Sequence, residues 1–357
     1  MFLPSYTIGD RAYEKIGEIC SRYGKTAVVV GGYKAMAAIK PYLETALILT
    51  DIKLLDYVWF GGECSYGNVN EIAANKNIIK ADIIFAVGGG KAIDTCKCIG
   101  EILKKPVFSF PTIASNCSCC TSVSIMYTAE GVFHKPHFFE NPPVHAFINT
   151  RIICESPVKY MWAGMGDTYA KYYEANVSSR GEICEHFTAL GVSMSNMCKE
   201  PILMYGEKAL SDNRARISSY EFQQVVLAIT VSTALVSIFV TRDHTPDYNS
   251  GLAHAIFYAL TSLEKVEKNH LHGEVVAFGV LILLLCDKNY EEFKKVYEFN
   301  KKIGLPVSIS DIEVSEDELK EILKSVTTMS DIKHYPYEVT VKMLEEAFSY
   351  LLEYKTL

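Results

Sequence analysis

The sequence has no long run of basic residues, and its acidic residues outnumber its basic ones. With 35 lysines and arginines against 42 aspartates and glutamates, the formal net charge is -7. Nucleic acids and anionic membranes select proteins that carry basic patches, so we expect neither as the main partner. The N-terminal "MFLPSYTIGDRAYEKIGEIC" lacks the apolar run of a secretory signal, and we therefore expect a cytoplasmic protein.

The sequence also lacks the pattern of a disulfide-rich protein. Its 11 cysteines are scattered over 357 residues without a secretory signal, which favours reduced thiols. Three of them fall in "NCSCC" (116–120), but no matching second pair follows, so a metal site there is not favoured. The apolar stretches "FQQVVLAITVSTALVSIFV" (222–240) and "VVAFGVLILLLC" (275–286) contain glutamines and hydroxyl groups or are too short to span a bilayer. Both are predicted to be buried helices.

The first 150 residues alternate between strand-like and helix-like patterns. Short β-branched or apolar runs end in glycine or proline at 26–32, 81–90 and 106–112, and a helical pattern covers 91–105. Strand, helix and strand with short connections predict a parallel sheet covered by helices. Residues 121–139 then predict a hairpin that turns at "AEG", and a last short strand is predicted at 145–150.

From about residue 157 the strand signals disappear, and helical patterns continue almost to the C-terminus. We expect breaks at Gly181, Pro201, Gly251 and Pro306. The predicted fold class is therefore an α/β N-terminal domain (1–155) followed by an all-α C-terminal domain (156–357). Ligands favour clefts between such domains.

The segment "AVGGGKAID" (86–94) is the strongest local motif. A buried strand stops at three glycines, and a helix follows directly. Glycines allow close backbone approach, and the helix start offers N–H groups and a positive dipole end, which suits a diphosphate. We expect Lys91 to add charge and Asp94 to lie in the first helical turn. The pattern is neither GxGxxG nor a P-loop, and a tight turn without ligand is the alternative.

Three other residues combine donor types that bind divalent metals. Asp167 follows a glycine in "GDTYAKYYEA" (166–175), and we expect it at a helix start, where an acid also serves as a cap. His254 lies in an apolar helical run, where a lone histidine is more often a core residue, and His272 begins another helix. One carboxylate and two imidazoles can hold a divalent cation with one position open. Spacing alone leaves their convergence open, and His270 is a weaker candidate.

The order of several short motifs resembles that of the glycerol dehydrogenases in the iron-containing alcohol dehydrogenase superfamily. The resemblance covers nearly the whole chain. The motifs that carry it are "GGECS" (61–65), "VGGGKAIDTCK" (87–97), "PTIAS" (111–115), "GMGD" (164–167), "GLAHAI" (251–256) and "HGEVVAFG" (272–279).

This resemblance implies the dehydroquinate synthase-like fold, with a dinucleotide-binding N-terminal domain and a metal-binding helical domain. Asp167, His254 and His272 match the family's metal ligands, through which they would act in catalysis. The residues that the resemblance places around the nucleotide, its diphosphate and the nicotinamide are Gly88, Gly89, Gly90, Lys91, Asp94, Thr112, Ser115, Thr121, Val123 and Tyr127.

Five positions depart from the family pattern. Lys171 replaces the fourth-ligand histidine of the iron branch, which leaves three ligands and implies zinc rather than iron. Cys117 replaces an aspartate that lies beside the substrate, and Phe257 replaces a histidine. Tyr33 and Lys34 stand where an acid otherwise favours NAD, so the cofactor is expected to be NAD or NADP.

The implied function is a metal-dependent oxidoreductase that acts on a small alcohol or polyol, or on the corresponding carbonyl compound. Hydride would pass from an alkoxide at the metal to the nicotinamide. The alternatives are a glycerol-1-phosphate dehydrogenase-like activity, a dehydroquinate synthase-like lyase, and a weakly catalytic nucleotide- and metal-binding protein that responds to redox state through its cysteines. We also expect a homo-oligomer.

Overall fold

The computed structural model describes residues 2–241 and 248–356. The chain divides into two compact units, of which the first comprises Met1–Tyr160 and Ala209–Leu235, and the second Met161–Lys208 and Val236–Leu357. Residues 209–235 thus belong to the first unit, although they follow the boundary expected at 155/156. The boundary at 155/156 divides the predicted dinucleotide-binding domain from the predicted metal-binding domain, and it stays a prediction.

The first unit is built on a parallel sheet of six strands. The strands in the described residues are β1 (Tyr6–Ile8), β2 (Thr26–Gly31), β3 (Lys53–Trp59), β4 (Ile83–Gly88), β5 (Val107–Pro111), β6 (Val123–Tyr127), β7 (Phe133–Phe138) and β8 (His145–Ile148). The sheet order is β1-β8-β5-β4-β2-β3, while β6 and β7 form a separate antiparallel hairpin. The predicted central strands, hairpin and last strand are confirmed.

The helices of the first part of the chain cover this sheet. They are α1 (Ile16–Cys20), α2 (Tyr33–Leu47), α3 (Tyr66–Ala73), α4 (Lys76–Lys80), α5 (Gly90–Leu103) and α6 (Thr150–Cys154). Aromatic rings fill the core between sheet and helices: Phe85 and Phe147 both pack on Phe110, with ring centroids 4.9 and 5.0 Å apart. β2, β4 and β5 are buried almost throughout, as expected of central parallel strands.

The remainder of the described chain is helical. Its helices are α7 (Val158–Ser178), α8 (His186–Met194), α9 (Asn196–Ala215), α10 (Tyr220–Leu227), α11 (Thr233–Val240), α12 (Leu252–Leu260), α13 (Glu264–Asn269), α14 (His272–Cys286), α15 (Tyr290–Ile303), α16 (Glu316–Val326) and α17 (Val341–Thr356). The breaks expected at Gly181, Gly251 and Pro306 are found. The break expected at Pro201 is wrong, because this proline lies inside α9. Pro201 is the sixth residue of α9, so it removes one interior backbone donor, and the helix continues on both sides of it.

A π-helical turn (Ala228–Ser232) joins α10 to α11. Together they form a helix of 21 residues with the length and apolar composition to cross a membrane, and 72% of its most apolar window is buried inside the protein. Burial to this extent is typical of a core helix, as the sequence predicted.

His145 of β8 ties the edge strand β1 to the sheet, and it gives a testable dependence of stability on pH. Its two ring nitrogens lie 2.8 Å from the hydroxyls of Ser5 and Thr7. Burial lowers the pKa of His145 to about 4, against about 6.5 in an unfolded chain. His145 binds a proton less readily in the folded state than in the unfolded state. Its contribution to the free energy of unfolding is therefore complete above pH 6.5 and is lost as the pH falls toward 4.

We therefore expect wild type to lose roughly 1–2 kcal/mol more than His145→Gln between pH 8 and pH 5, since glutamine does not titrate. Urea unfolding at a series of pH values measures this difference, and other titrating groups cancel between the two proteins. A gap in stability that does not change with pH would contradict the role assigned to this ring.

Candidate functional site

Three helices of the second unit each carry one candidate metal ligand. Asp167 is the tenth residue of α7, His254 the third of α12 and His272 the first of α14. The expectation that Asp167 starts a helix is wrong. The glycines before it do not end α7, because they lie where α7 meets α14: a Cβ on Gly166 would collide with the backbone carbonyl of Gly273.

The three ligand side chains converge. Oδ1 of Asp167 lies 3.4 Å from Nε2 of His254 and 3.3 Å from Nε2 of His272. One ligand atom from each residue lies within 4.8 Å of the others, and among the described residues this is the one such group of histidine, cysteine and acidic side chains. Two ligands of a tetrahedral zinc ion, each about 2.0–2.1 Å from the metal, stand roughly 3.3 Å apart. The donor set therefore fits a divalent cation in chemistry and in spacing.

One side of this triad faces solvent. The His272 side chain is 47% exposed, against 9% for His254 and 18% for Asp167. Phe257, on α12, packs edge-on against the His272 ring, with centroids 4.3 Å apart. Lys171 is buried and donates to the backbone and side-chain oxygens of Asn249. The described residues thus supply three donors and leave an open side for a small molecule.

The triad attracts positive charge. Burial opposes a charge on His254, but the carboxylates of Glu174 and Asp167 raise the pKa of its ring to about 10. Burial likewise opposes ionisation of Asp167, but His272 and His254 hold its pKa well below the usual value. A divalent cation at the triad would compensate the negative charge of these carboxylates, in place of the protons on the histidine rings.

Glu174, two turns after Asp167 on α7, contacts His254 of the triad through its carboxylate. Its carboxylate is fully buried and accepts the backbone N–H groups of Gly251 (2.8 Å) and His254 (2.9 Å). Its other oxygen lies 2.7 Å from Nδ1 of His254. Glu174 was not predicted from the sequence: its spacing of seven from Asp167 indicates a shared helix face but does not show that this face is buried.

His270, the weaker histidine candidate, does not join the triad. Its Nδ1 lies 2.8 Å from the Glu274 carboxylate. Glu274 also accepts the backbone N–H of Leu271 and so caps the first turn of α14. This pair fixes the helix start that presents His272.

In the first unit, the glycine segment forms the predicted strand-to-helix turn. Gly88 ends β4 with a φ of +143°, Gly89 caps α5, and Gly90 is its first residue. A Cβ on Gly89 or Gly90 would press on Ile113 or Asn116. The missing side chains of these glycines leave room for the side chains of Ile113 and Asn116, in the segment after β5. The first amides of α5 have no acceptor within the helix and can bind an anion.

Both charged residues of this segment have partners within the protein, although Lys91 is exposed and Asp94 is buried. Nζ of Lys91 lies 2.5 Å from the Glu63 carboxylate and 4.7 Å from the centre of the Tyr127 ring. Asp94 is the fifth residue of α5, so its expected place in the first helical turn is wrong. Helix α5 starts at the last of the three glycines, one turn before this acid.

Asp94 and Lys97 form a buried ion pair that shapes the segment after β5. The two groups are 2.8 Å apart, and Asp94 also accepts the Ser118 hydroxyl (2.6 Å) and the Ile125 N–H (3.1 Å). Nζ of Lys97 donates to the carbonyls of Ser118 and Val123. Lys97, which lies about one helical turn after Asp94, was not predicted from the sequence as part of this site.

The other residues predicted to surround the nucleotide lie near the glycine segment and the segment after β5. Thr112 is buried directly after β5 and donates its backbone N–H to Gly88, while Ser115 is half-buried. Thr121 is buried, and the backbone carbonyl of Cys117 accepts its N–H.

The thiols of Cys119 and Cys120 lie 3.8 Å apart, and none of the 11 cysteines forms a disulfide.

Comparisons with known proteins agree with this architecture. The family model for iron-containing alcohol dehydrogenase matches residues 4–149. A glycerol dehydrogenase of Thermotoga maritima is 30% identical, with 96% of this chain and 93% of that protein aligned. Hydroxycarboxylate dehydrogenase A of Escherichia coli is also 30% identical, with 92% and 90% aligned.

Solved structures show the same fold. The glycerol dehydrogenase of Schizosaccharomyces pombe superposes with a TM-score of 0.86 at 23% identity, covering 100% of this chain and 91% of that one. Together with identity at the 30% level along almost the entire length of a relative, this shows that the chain belongs to the iron-containing alcohol dehydrogenase family and is a metal-dependent dehydrogenase of alcohols or polyols.

Proposed function

We propose that the protein oxidises a small polyol or 2-hydroxy compound with NAD or NADP, using a zinc ion held by Asp167, His254 and His272. The convergence of these three side chains is the observation that carries the proposal. When bound, the cation supplies Lewis-acid polarisation of an alcohol oxygen, and the nicotinamide supplies the hydride acceptor.

Zinc is proposed over iron because the described residues offer three protein donors at tetrahedral spacing. Catalytic zinc sites combine three protein ligands with one open position. Lys171 lies one turn after Asp167, where a fourth donor on the same helix face would stand, but it donates to Asn249.

The dinucleotide is proposed to bind residues 1–155, with its diphosphate at the first turn of α5. Backbone amides rather than Lys91 would hold this group, because Lys91 already pairs with Glu63. Asp94 would act indirectly, by fixing the segment that contains Thr121 and Val123. NADP remains a candidate because exposed Lys34 lies in the first turn of α2, beside the end of β2.

A small substrate with a second oxygen-bearing group, a hydroxyl or a carboxylate, near the reacting alcohol is proposed because relatives at the same 30% identity are named for glycerol and for hydroxycarboxylates. Cys117 in place of the family's aspartate removes one negative charge from the region proposed to face the substrate. The protein is further proposed to be a cytoplasmic homo-oligomer.

The test is a screen of glycerol, other vicinal diols, 2-hydroxy acids and glycerol phosphates, each with NAD and NADP, after chelation and reloading with zinc or iron(II). We expect formation of reduced cofactor at 340 nm with at least one vicinal hydroxy compound. Activity should disappear on chelation and return with zinc more fully than with iron(II). A zinc-loaded protein that reduces neither cofactor with any of these compounds would contradict the proposal.

A further inference from the structure

Glu174 is a charged group that the protein has removed entirely from water. Its side chain is 0% exposed, and the ion pair that it makes within the described residues is with His254. A buried carboxylate is costly unless hydrogen bonds compensate it. Within the described residues its hydrogen bonds come from the start of α12, where the backbone N–H groups of His254 and of Gly251, the residue before the helix, share one oxygen.

The other oxygen of Glu174 fixes the proton of the metal-site histidine. It lies 2.7 Å from Nδ1 of His254, and an ionised carboxylate can only accept a hydrogen bond, so Nδ1 must carry the proton. In the neutral ring Nε2 is then the unprotonated nitrogen, and this is the atom that faces Asp167 at 3.4 Å. A carboxylate behind a ligating histidine also makes the ring a stronger donor.

The packing leaves this carboxylate little freedom. A Cβ on Gly251 would lie 3.2 Å from both Cβ and Cγ of Glu174 and 2.8 Å from the Tyr335 hydroxyl. That hydroxyl accepts the Leu252 N–H at 2.8 Å. The start of α12 is thus held between Glu174 of α7 and Tyr335, which limits the movement of the His254 ring relative to the carboxylate.

Charge gives a second reason for the arrangement. Asp167 and Glu174 together carry two negative charges, and two neutral imidazoles add none. A divalent cation brings this assembly to neutrality, whereas a monovalent cation would leave a buried negative charge. Asp167 and Glu174 are seven residues apart on α7, so one helix face supplies both charges.

We propose that Glu174 is a positioning residue that selects the Nδ1–H tautomer of His254 and so presents Nε2 to the divalent cation. This inference rests on the proposed metal site. It goes beyond that site by predicting that a group which never touches the metal controls the metal affinity.

The variant Glu174→Gln tests it because the amide matches the carboxylate in size. Its oxygen can still accept the two backbone N–H groups, but its NH₂ would donate to Nδ1 and place the ring proton on Nε2. We expect the zinc affinity, measured by competition with a chromophoric chelator, to fall about 10- to 100-fold. The visible absorption bands of the Co(II)-substituted protein should shift or weaken, and Glu174→Asp should recover part of the affinity.

The matched control is Glu292→Gln, since Glu292 accepts the Tyr173 hydroxyl of the same helix at 2.9 Å and does not touch the triad. Its zinc affinity should match wild type. An unchanged zinc affinity and Co(II) spectrum in Glu174→Gln, even with a lower melting temperature, would overturn the inference while the proposed function stood. A wild-type protein that binds no zinc would instead overturn the proposed function.

A measurement on wild type keeps the inference testable if the variant fails to fold. In the zinc-loaded protein, two-bond ¹H–¹⁵N correlation spectra should show His254 with its proton on Nδ1. A proton-free Nδ1 would overturn the inference.

Discussion

Asp167→Asn is expected to purify without bound zinc and to lose at least about 10³-fold in kcat/KM, which corresponds to roughly 4 kcal/mol of transition-state stabilisation. Asp167 supplies the one negative charge among the three converging donors, and both imidazoles lie within 3.4 Å of its Oδ1. An amide oxygen is a weaker ligand for a dication, and an amide nitrogen in its place would offer protons. Metal content by atomic emission and the rate of reduced-cofactor formation at 340 nm measure the two effects.

Glu207→Gln is the matched control for this variant. It makes the same chemical change in the same unit, but at an ion pair with Lys302 in which both side chains are 60% exposed. Exposed pairs of this kind contribute little to stability, so metal content and rate should stay at wild-type values. If Asp167→Asn kept wild-type zinc content and turnover, the metal assignment would be wrong.

The three candidate metal ligands could be picked out from the sequence because short motifs surround them, and the structure brings their side chains together. Their support could not be predicted in the same way. Glu174 resembles any acid on an amphipathic helix until the structure shows that its face is fully buried. Asp167 itself was expected at a helix start because it follows Gly166, whereas α7 passes through this glycine.

The sheet was predicted at its centre and missed at its edges. Central strands such as β4 are continuous apolar runs that end in glycine, and these stand out in a sequence. β1 is only three residues long, and β3 includes Lys53 and Asp56 and is half-buried. Edge strands are short or charged because a free edge invites pairing with other chains, and the same features hide them from pattern analysis.

The glycine segment forms the strand-to-helix turn that the sequence predicted, but the directions of its charged side chains were not foreseen. A lysine and an acid beside a glycine turn indicate a phosphate site from sequence alone. In the fold, Lys91 turns to Glu63, and Asp94 turns to Lys97. Glu63 is 28 residues from Lys91, and Lys97 is 3 residues from Asp94. Which charged side chain is available to a ligand depends on how the elements after β3, β4 and β5 pack together.

Gly273→Ala is expected to separate two of the proposed metal ligands by forcing two helix backbones apart. A Cβ at Gly273 would run into the carbonyl oxygen of Ala163 and lie 3.1 Å from the backbone nitrogen of Asp167. These are backbone atoms and cannot turn away as a flexible side chain can. Because His272 precedes Gly273 directly, any shift of α14 moves a ligand relative to Asp167.

We expect this single methyl group to lower the melting temperature, at an overpacking cost of about 1–3 kcal/mol. Zinc affinity and kcat/KM should each fall at least about 10²-fold, since a displacement on the order of 1 Å at a reacting site has that effect. Calorimetry, chelator competition and the 340 nm assay measure the three quantities. Gly67→Ala is the control, because Gly67 lies in helix α3 with nothing within 4 Å of its added Cβ, so there the methyl group should leave all three unchanged or slightly raise stability. Wild-type zinc affinity and rate in Gly273→Ala would contradict this prediction. That result would show that close packing of α7 and α14 at Gly273 does not determine the distance between Asp167 and His272.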